Sequence, residues 1–380
     1  MSDFKSLSTA NLPDPPIDNA AGEEASDHFN TRLYTGNGST QSITGVGFQP
    51  DWVWLKGRDF ASNHRLTDSV RGAGKGLKGN GSDAEDSSNT YYVTAFDSDG
   101  FSLNSGGGDV NQSGNTFVSW NWNMGGSTVS GTATGGGGSR AYSYRASTKA
   151  GLSVLAYTGD GTDGGEVPHG LSGGVDAVFI KRRNSSLDWH CFYASGLLSG
   201  ESYFLSLNKN DGESTTSYGT ADLNDSGTAL TLKAGGNGSR NVNASSDTYV
   251  AYIFKNVEGF SKIGLYTDSY ISDSDSETAY NRTSPYVHTG FRPAFLLIKG
   301  TGNGRDWVMY DNKRTPDDGV YLIANEYSVE QTDATNHDIS FLSNGFKIRG
   351  GSGDINTTNE SYVFICYADQ PFKFANGGIE

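Results

Sequence analysis

Apolar and polar residues alternate over short stretches of the chain, in the pattern of β-strands separated by turns. In Thr248–Phe254 nearly every residue is apolar, which is typical of a central strand covered on both faces. The polar turn 97–100 leads directly into the alternating Phe101-Ser102-Leu103. Apolar residues spaced by three and four, the sign of an amphipathic helix, do not continue beyond a turn or two. We therefore predict an all-β fold.

Several strand landmarks occur three times in the same order. Each copy has a strand that enters a turn, a tight turn before a second strand, a lysine that ends this second strand, and a closing strand rich in aromatic residues. The lysines are Lys56, Lys181 and Lys299, preceded by Val53-Trp54-Leu55, Val178-Phe179-Ile180 and Leu296-Leu297-Ile298. Since the order is constant, we interpret the chain as three tandem copies of one unit, each folded around its own aromatic interior.

The spacing of the copies favours sandwich modules. The three lysines are about 120 residues apart, whereas solenoid coils repeat at about 20–50 residues. Units of this length with short strands and frequent turns are typical of antiparallel β-sandwiches or jelly rolls. The predicted units are an N-terminal arm (1–28), a first repeat (29–124), a Gly/Ser/Thr-rich linker (125–150), a second repeat (151–256) and a third repeat with a C-terminal tail (257–380). Within the linker we expect a flexible spacer up to Gly138 and an extended strand after it.

The N-terminal arm contains few large apolar side chains and a proline-rich patch. Such a segment buries too little surface to offset the entropy lost when it becomes ordered. One interpretation is a disordered tail, and the other is an extended arm that becomes ordered against a neighbouring subunit. In the second case the predicted assembly residues are Leu12, Pro13, Pro15, Pro16 and Ile17.

Composition and charge narrow the range of partners. The chain has 52 Gly, 20 Tyr and 19 Phe, which suits aromatic strands joined by turns. Its 43 acidic and 28 basic residues give a formal charge of −15, which argues against binding to nucleic acid or to an anionic bilayer. No apolar run approaches the ~18 residues that would span a membrane, and the N-terminus lacks the regions of a signal peptide. We expect synthesis in the cytoplasm of a host and no membrane insertion.

The residues that suggest chemistry fit better as structural elements. Gly170-Leu171-Ser172-Gly173-Gly174 has the spacing of a nucleophile elbow, but a strand follows it where the elbow needs a helix. His169 and His288 precede equivalent turns, and a hydrogen-bonded structural histidine is the expectation at both. Cys191 and Cys366 lie in strand-like runs of different copies, so we predict buried, unpaired thiols.

Calcium and glycoside hydrolysis are the remaining chemical alternatives. Residues 97–100 and 273–277 resemble pieces of calcium loops, but both lack the bidentate glutamate at the twelfth loop position. Paired carboxylates remain open as an alternative in an acidic β-protein, yet an active site would need residues unique to one copy, and none stands out. We expect no catalytic residue, no metal and no cofactor.

Two Asp-Trp pairs are the candidate ligand-binding residues. Asp188 and Trp189 in the second copy match Asp306 and Trp307 in the third. An aromatic face beside a carboxylate is one way in which a protein holds a sugar. Recurrence at one repeat position describes a core tryptophan equally well, and we favour the core.

Some strings in the chain resemble those of a known group of proteins. Phe29-Asn30-Thr31-Arg32-Leu33-Tyr34-Thr35-Gly36 and Gly47-Phe48-Gln49-Pro50-Asp51-Trp52-Val53-Trp54-Leu55-Lys56 are similar to repeat-bearing virion structural proteins of tailed bacteriophages, especially marine and cyanobacterial ones. Asp68-Ser69-Val70-Arg71-Gly72 and the closing Gln370-Pro371-Phe372-Lys373-Phe374 fit the same pattern. The second copy departs most, with Leu171 and Ser172 where the other copies have Phe and the residue before Pro.

The resemblance implies a non-enzymatic, lectin-like sandwich protein on the surface of a virus particle. The expected role is a tail fibre, appendage or adhesion component with host-surface glycans as a candidate ligand. Capsid decoration, a stand-alone carbohydrate-binding module and a glycan depolymerase are the alternatives. The expected partners are other virion proteins, bound through the N-terminal arm, and further copies of the chain in a homo-oligomer.

Overall fold

The fold is all-β, as predicted. The computed structural model describes residues 24–88, 92–105, 107–215, 220–223, 227–233, 242–267 and 285–371. Strands make up 47% and helices 3% of the structure, and none of the described sheets closes into a barrel. All the strand pairs are antiparallel; a 3₁₀ turn at Ala25–Asp27 precedes the first strand, and another lies at Pro316–Asp318.

The first segment contains one larger and one smaller sheet. Its elements are β1 (Phe29–Thr35), β2 (Gln41–Thr44), β3 (Trp52–Gly57), β4 (Arg65–Asp68), β5 (Leu77–Lys78), β6 (Val93–Asp97), β7 (Gly100–Leu103), α1 (Gly108–Asn111) and β8 (Thr116–Trp122). The larger sheet has the order β1-β8-β3-β4-β5 and the smaller one β2-β7-β6. Apolar residues of both sheets, including Val53, Leu55 and Phe101, form a cluster between them.

The second segment has a corresponding pair of sheets, extended by a hairpin. The hairpin strands are β9 (Val129–Gly135) and β10 (Gly138–Ser147). The other strands are β11 (Leu152–Thr158), β12 (Gly165–Pro168), β13 (Ala177–Arg182), β14 (His190–Tyr193), β15 (Tyr203–Phe204), β16 (Ser214–Thr215), β17 (Thr220–Asp222), β18 (Ala229–Lys233) and β19 (Thr248–Phe254). The larger sheet has the order β14-β13-β19-β11-β10-β9, and the smaller one β12-β18-β17. A second apolar cluster fills the space between them.

The third segment repeats the arrangement. Its strands are β20 (Ser261–Thr267), β21 (Tyr286–His288), β22 (Phe291–Gly300), β23 (Trp307–Asp311), β24 (Val320–Ile323), β25 (Gln331–Thr332), β26 (Ile339–Leu342), β27 (Gly345–Ile348) and β28 (Ser361–Pro371). The larger sheet has the order β20-β28-β22-β23-β24-β25 and the smaller one β21-β27-β26.

Strand order and local contacts recur in the three segments. The larger sheets share the order β1-β8-β3-β4, β11-β19-β13-β14 and β20-β28-β22-β23. A tyrosine near the end of the first strand donates its hydroxyl to a backbone oxygen in each: Tyr34 to Val110, Tyr157 to Val242 and Tyr266 to Ile355, at 2.6–2.8 Å. Equivalent positions along the chain thus occupy equivalent positions in space.

The stretch 125–150, which we predicted to be a linker with a flexible first part, instead contains the hairpin β9–β10. The extended strand expected after Gly138 is β10, but the Gly-rich half before it is also a strand. The hairpin is fixed by β10, where Tyr142 and Tyr144 pack against the second apolar cluster. Arg140 is fully buried and pairs with Asp160 at 2.8 Å. These anchoring residues all lie in β10. The glycine-rich residues of β9 are ordered because their backbone pairs with that of β10.

The aromatic interior is shared between the segments. All six tryptophans belong to one core that contains residues of all three segments. The Trp52 and Trp122 rings stack at 4.0 Å, Trp52 stacks on Tyr252 of the second segment at 4.4 Å, and Trp122 meets Phe295 of the third at 5.8 Å. The expectation that each copy folds around its own aromatic interior is therefore wrong for the tryptophans. They lie on the face of each larger sheet that is turned away from the smaller sheet, so they can be buried only against other segments.

Candidate functional site

The junctions between the three segments hold a recurring set of buried polar contacts. At each junction, a ring nitrogen at or just before the fourth strand bonds a backbone oxygen of another segment. The bonds run from Trp189 to Lys78, from Trp307 to Ser206 and from His64 to Ile323, at 2.9, 2.9 and 3.0 Å. The second segment thus contacts the first, the third contacts the second, and the first contacts the third. The contacts form a closed cycle.

An asparagine positions each of these rings. Asn208 accepts the backbone N–H of Trp189 at 3.0 Å and donates its side-chain amide to Asp188 at 2.8 Å. Asn325 does the same for Trp307 and Asp306, at 2.8 Å for both bonds. Asp188 and Asp306, proposed from the sequence as ligand residues, thus serve as acceptors that orient the asparagines.

The two tryptophans proposed as sugar platforms are interior residues. Trp189 is 0% and Trp307 1% exposed. The Trp189 ring stacks on Tyr252 at 6.0 Å, and the Trp307 ring meets Phe179 at 5.7 Å. No open face is left on either ring for a sugar, which agrees with the alternative of core residues.

The first segment departs from this pattern because His64 stands where the others have tryptophan. Its Nε2 donates to the Ile323 oxygen, and its Nδ1 accepts the indole N–H of Trp54 at 2.9 Å. The accepting Nδ1 requires the neutral ring, with its proton on Nε2. Burial, together with the nearby charge of Lys56, holds the pKa of His64 well below its usual value. The imidazole therefore acts here as a neutral bridge.

The three landmark lysines are fully buried, and two of them reach across a junction. The Lys56 ammonium donates to the backbone oxygen of Ser328 in the third segment at 2.6 Å, and Lys181 donates to Ser82 in the first at 3.1 Å. Lys299 donates to the oxygen of Gly300 at 2.6 Å. Burial lowers the pKa of each of the three to about 8.

A chain of alternating charges crosses the junction between the first two segments. Arg183 of the second segment pairs with Glu85, which also contacts Arg71 at 2.9 Å. Arg71 in turn binds Asp68 at 2.5 Å, with both side chains fully buried. Asp68 then accepts the hydroxyl of Tyr252, again from the second segment, at 2.9 Å. Every charge in this chain has a partner of opposite sign.

The junction between the first and third segments repeats this chain. Arg58 of the first segment pairs with Glu330, which contacts Arg314 at 3.2 Å. Arg314 binds Asp311 at 2.6 Å, and Asp311 accepts the Trp120 indole N–H of the first segment at 3.0 Å. Burial alone would raise the pKa of Glu330, but the bonds and charges of the two arginines outweigh it and lower that pKa.

Among the described residues, the junction between the second and third segments has no such chain of charges. Glu213 stands where the others have Glu85 and Glu330, and its backbone N–H donates to Thr301 at 2.7 Å, as Glu85 and Glu330 donate to Arg183 and Arg58. With threonine in place of arginine, its carboxylate instead accepts the backbone N–H of Ser199 at 2.8 Å. The three junctions share this backbone hydrogen bond and differ in the charged side chains beside it.

A histidine cluster in the third segment was missed by the sequence analysis. The buried His337 ring stacks on Tyr321 at 3.9 Å, with Nε2 3.4 Å from Asp354 and Nδ1 3.7 Å from Asp333. Asp333 and His337 share one turn, whereas Tyr321 lies on β24 and Asp354 on a later turn, and no repeat landmark indicates that the four meet. Among the described residues, no cluster of three or more His, Cys, Asp or Glu has a geometry suited to a metal ion.

A shallow surface groove of about 180 Å³ lies along β10, β11 and the start of β19. Hydroxyl-bearing residues line it, namely Ser143, Thr158 and Thr248, together with Arg183. Since Arg183 is paired with Glu85, both donors and acceptors lie close to the groove.

Comparison with known proteins places the chain in a family. The model of a domain of unknown function, DUF7483, matches residues 24–371. The chain belongs to the DUF7483 family. The match covers the described larger and smaller sheets of all three segments. No curated protein and no solved structure matches the chain.

The other residues singled out from the sequence have local structural roles. The elbow-like stretch 170–174 joins β12 to β13, a connection between two strands. His169 is buried and its Nδ1 accepts the backbone N–H of Leu171 at 3.1 Å, whereas His288 is exposed and bonds Tyr286. Cys191 and Cys366 are free and buried, as predicted.

The remaining predicted positions fall partly outside the described residues. In the turn at 97–100, Asp99 accepts the backbone N–H groups of Gly45 and Gly47 at 2.9 and 2.7 Å. Its carboxylate therefore has a structural role in joining two turns. The second calcium-like stretch, 273–277, and the assembly residues from Leu12 to Ile17 lie outside the described ranges. No helix in the described ranges is long and apolar enough to cross a membrane.

Proposed function

We propose that this DUF7483 protein is a non-enzymatic structural protein of a bacteriophage particle, displayed on a tail fibre or appendage. Its body would consist of three tandem antiparallel β-sandwich modules, lectin-like in shape, joined around the shared tryptophan core. Residues 1–23 would attach this body to other virion proteins. The residue strings that resemble phage virion proteins motivate this assignment.

The closed cycle of junction bonds is the observation that carries the proposal. Three independent modules on a string would flex at their linkers, whereas here every segment is bonded to both others. A body of this kind keeps its outer loops in fixed relative positions. Fixed spacing lets several weak contacts act together on a surface, which is the physical requirement for an adhesive or scaffolding role.

Mass spectrometry of purified particles of a phage that encodes this chain tests the assignment. We expect the chain in particles purified through a density gradient. Comparison with the major capsid protein then separates the two particle locations: a few copies per particle indicate a tail appendage, and hundreds indicate capsid decoration. Absence from intact, infectious particles would refute the proposal.

The attachment role of the N-terminus has its own test. In a phage that carries a chain lacking residues 1–23, we expect the body to fold but to be missing from the particles. A variant with Phe4 and Leu7 both replaced by Ser, which leaves the proline-rich patch intact, is the matched control for the patch from Leu12 to Ile17. Normal incorporation of the truncated chain would place the attachment elsewhere.

A carbohydrate-binding module is the second candidate, favoured by the groove on the second segment. Hydroxyl groups beside an Arg–Glu pair offer the donors and acceptors that a sugar requires. A glycan array with the full chain is the test, with Thr158→Val in the groove and Thr35→Val at the exposed end of β1 as the matched pair. Binding lost only in Thr158→Val supports this function; an array without signal excludes it. Incubation with host polysaccharide, followed by an assay for new reducing ends, separates it from a depolymerase.

A further inference from the structure

Strand β9 is regular and yet contributes nothing to a core. Six of its seven residues are exposed, the seventh is half-buried, and Val129 is 43% exposed. The strand pairs with β10 along its whole length and is the last strand of its sheet. Among the described residues, the larger sheets of the other two segments carry no equivalent hairpin. Burial against the described part of the chain does not account for β9.

The hairpin geometry shows which backbone groups of β9 point away from the sheet. The two-residue turn Gly136-Gly137 has φ of +60° and +86°, as in a type I′ turn, and so Gly135 and Gly138 form a hydrogen-bonded pair. Bonded and non-bonded pairs alternate along an antiparallel ladder. The N–H and C=O groups that face outward therefore belong to Ser130, Thr132 and Thr134. Within the described part of the chain, none of these groups has a hydrogen-bond partner.

The outer edge of β9 carries no charge. Proteins commonly protect an exposed edge strand with a charged residue, above all lysine. The equivalent edges of the other two segments follow this rule, with Arg32 on β1 and Lys262 on β20. The sequence of β9, from Val129 to Gly135, has only small neutral residues and one valine. In a chain of net charge −15, such a strand is where two copies approach with the least repulsion.

We propose that β9 pairs antiparallel with β9 of a second copy, across a twofold axis centred on Thr132. In this register Thr132 faces the partner's Thr132, and Ser130 faces the partner's Thr134. The three facing pairs each exchange two backbone bonds, which uses every outward N–H and C=O of the strand. Val129 then lies beside the partner's Gly135, which has no side chain to obstruct it. The larger sheets of the two copies join into one continuous sheet.

This contact goes beyond the proposed function and supplies an interface for the homo-oligomer that the resemblance implies, and its test needs only the purified full-length chain. If the chain does not dimerise, the phage assignment is unaffected. If the chain is absent from phage particles, the proposed dimer is unaffected. Sedimentation equilibrium over a wide concentration range measures the assembly, since a dimer formed by mass action grows with concentration. We expect a reversible dimer of the unmodified chain.

Thr132→Pro removes the central outward donor without removing a bond to β10, because Thr132 is at a non-bonded position of that pair. We expect a monomer whose circular dichroism and melting temperature match those of the unmodified chain. Thr132→Ser retains the donor and should dimerise normally. An unmodified chain that stays monomeric at every concentration, or a Thr132→Pro dimer as strong as the original, would overturn the proposal.

Cross-linking gives a second readout that does not depend on the proline variant. In Thr132→Cys the two new thiols would lie across the twofold axis, at the Cα separation of about 5.5 Å that a disulfide accommodates. Cys191 and Cys366 are fully buried and do not compete. We expect a cross-linked dimer under mild oxidation. Thr267→Cys, at the exposed end of edge strand β20, should stay monomeric; equal cross-linking of both variants, or of neither, would contradict the proposed register.

Discussion

Replacement of Asp68 by Asn tests whether the charge chain between the first two segments stabilises the fold. The Asp68 side chain is fully buried and accepts Arg71 Nε at 2.5 Å and the Tyr252 hydroxyl at 2.9 Å. Asn has nearly the same shape but no charge, and its amide N–H₂ group would face a donor of Arg71 or Tyr252. Breaking a buried ion pair from one side costs about 3–5 kcal/mol, and the lower end, about 3 kcal/mol, applies here because Arg71 keeps its contact with Glu85. We expect Asp68→Asn to lower the free energy of unfolding by that amount.

Urea denaturation followed by circular dichroism measures this change, with Asp83→Asn as the matched control. Asp83 also forms an ion pair, with Lys78 at 3.1 Å, but its side chain is 57% exposed. Exposed pairs contribute about 0–1 kcal/mol, so this variant should unfold almost like the unmodified chain. A loss of less than about 1 kcal/mol for Asp68→Asn, well below the range for buried pairs, would refute the reasoning.

The same site shows whether the two segments are joined in solution. Tyr252→Phe removes the hydroxyl that reaches Asp68 from the second segment. In a double-mutant cycle with Asp68→Asn, we expect a coupling energy of about 0.5–3 kcal/mol, as for residues in direct contact. Strictly additive effects would mean that the junction is not formed.

Three further predictions concern titration and the junction bonds. Burial lowers the pKa of His190 to about 4. The stability that depends on its neutral ring is therefore full above pH 6.5, and about 3 kcal/mol of it is lost as the pH falls towards 4. In urea unfolding, the His190→Asn variant should show a smaller loss over this pH range. Burial lowers the pKa of Lys181 to about 8. Its contribution to the free energy of unfolding is therefore full above pH 10.5 and is lost as the pH falls through 8. The free energy of unfolding of Lys181→Met should lack the corresponding increase between pH 8 and 10.5. Trp307→Phe leaves the Ser206 oxygen without its donor, and we expect a loss of at least about 1–3 kcal/mol in thermal unfolding.

Each of these predictions has a distinct contradicting result. An acid profile of His190→Asn that runs parallel to that of the unmodified chain would show that His190 does not titrate on unfolding. A stability difference between Lys181→Met and the unmodified chain that is constant from pH 8 to 10.5 would do the same for the lysine. For Trp307, unchanged stability of the phenylalanine variant would show that the bond to Ser206 is not formed.

The sequence predicts the strands well because the alternation of apolar and polar residues follows directly from the β-pleat. The landmark lysines at 56, 181 and 299 also find equivalent positions in space. Alternation cannot tell which neighbour covers a face, however. The sequence predicts Trp52 and Trp122 to be interior residues of one copy. In the structure they are buried against the second and third segments.

Local sequence patterns do not predict the hairpin β9–β10 or the hydrogen bonds and ion pairs at the junctions. The glycine-rich stretch before Gly138 has the composition of a flexible spacer, and it becomes a strand because Tyr142 and Arg140 anchor its partner. Arg183 and Glu85 are 98 positions apart, and each alone is an ordinary polar residue of a turn. Long-range pairs of this kind become visible only when the three segments are assembled.

Differential scanning calorimetry of the full chain tests the central claim, that the three segments form one cooperative body around a shared core. The ratio of the calorimetric to the van't Hoff enthalpy counts the cooperative units. One transition with a ratio near one is the expected result, because unfolding of any segment exposes the tryptophans of the others. Separate transitions, or a ratio near three, would mean that the segments unfold independently and would contradict the account.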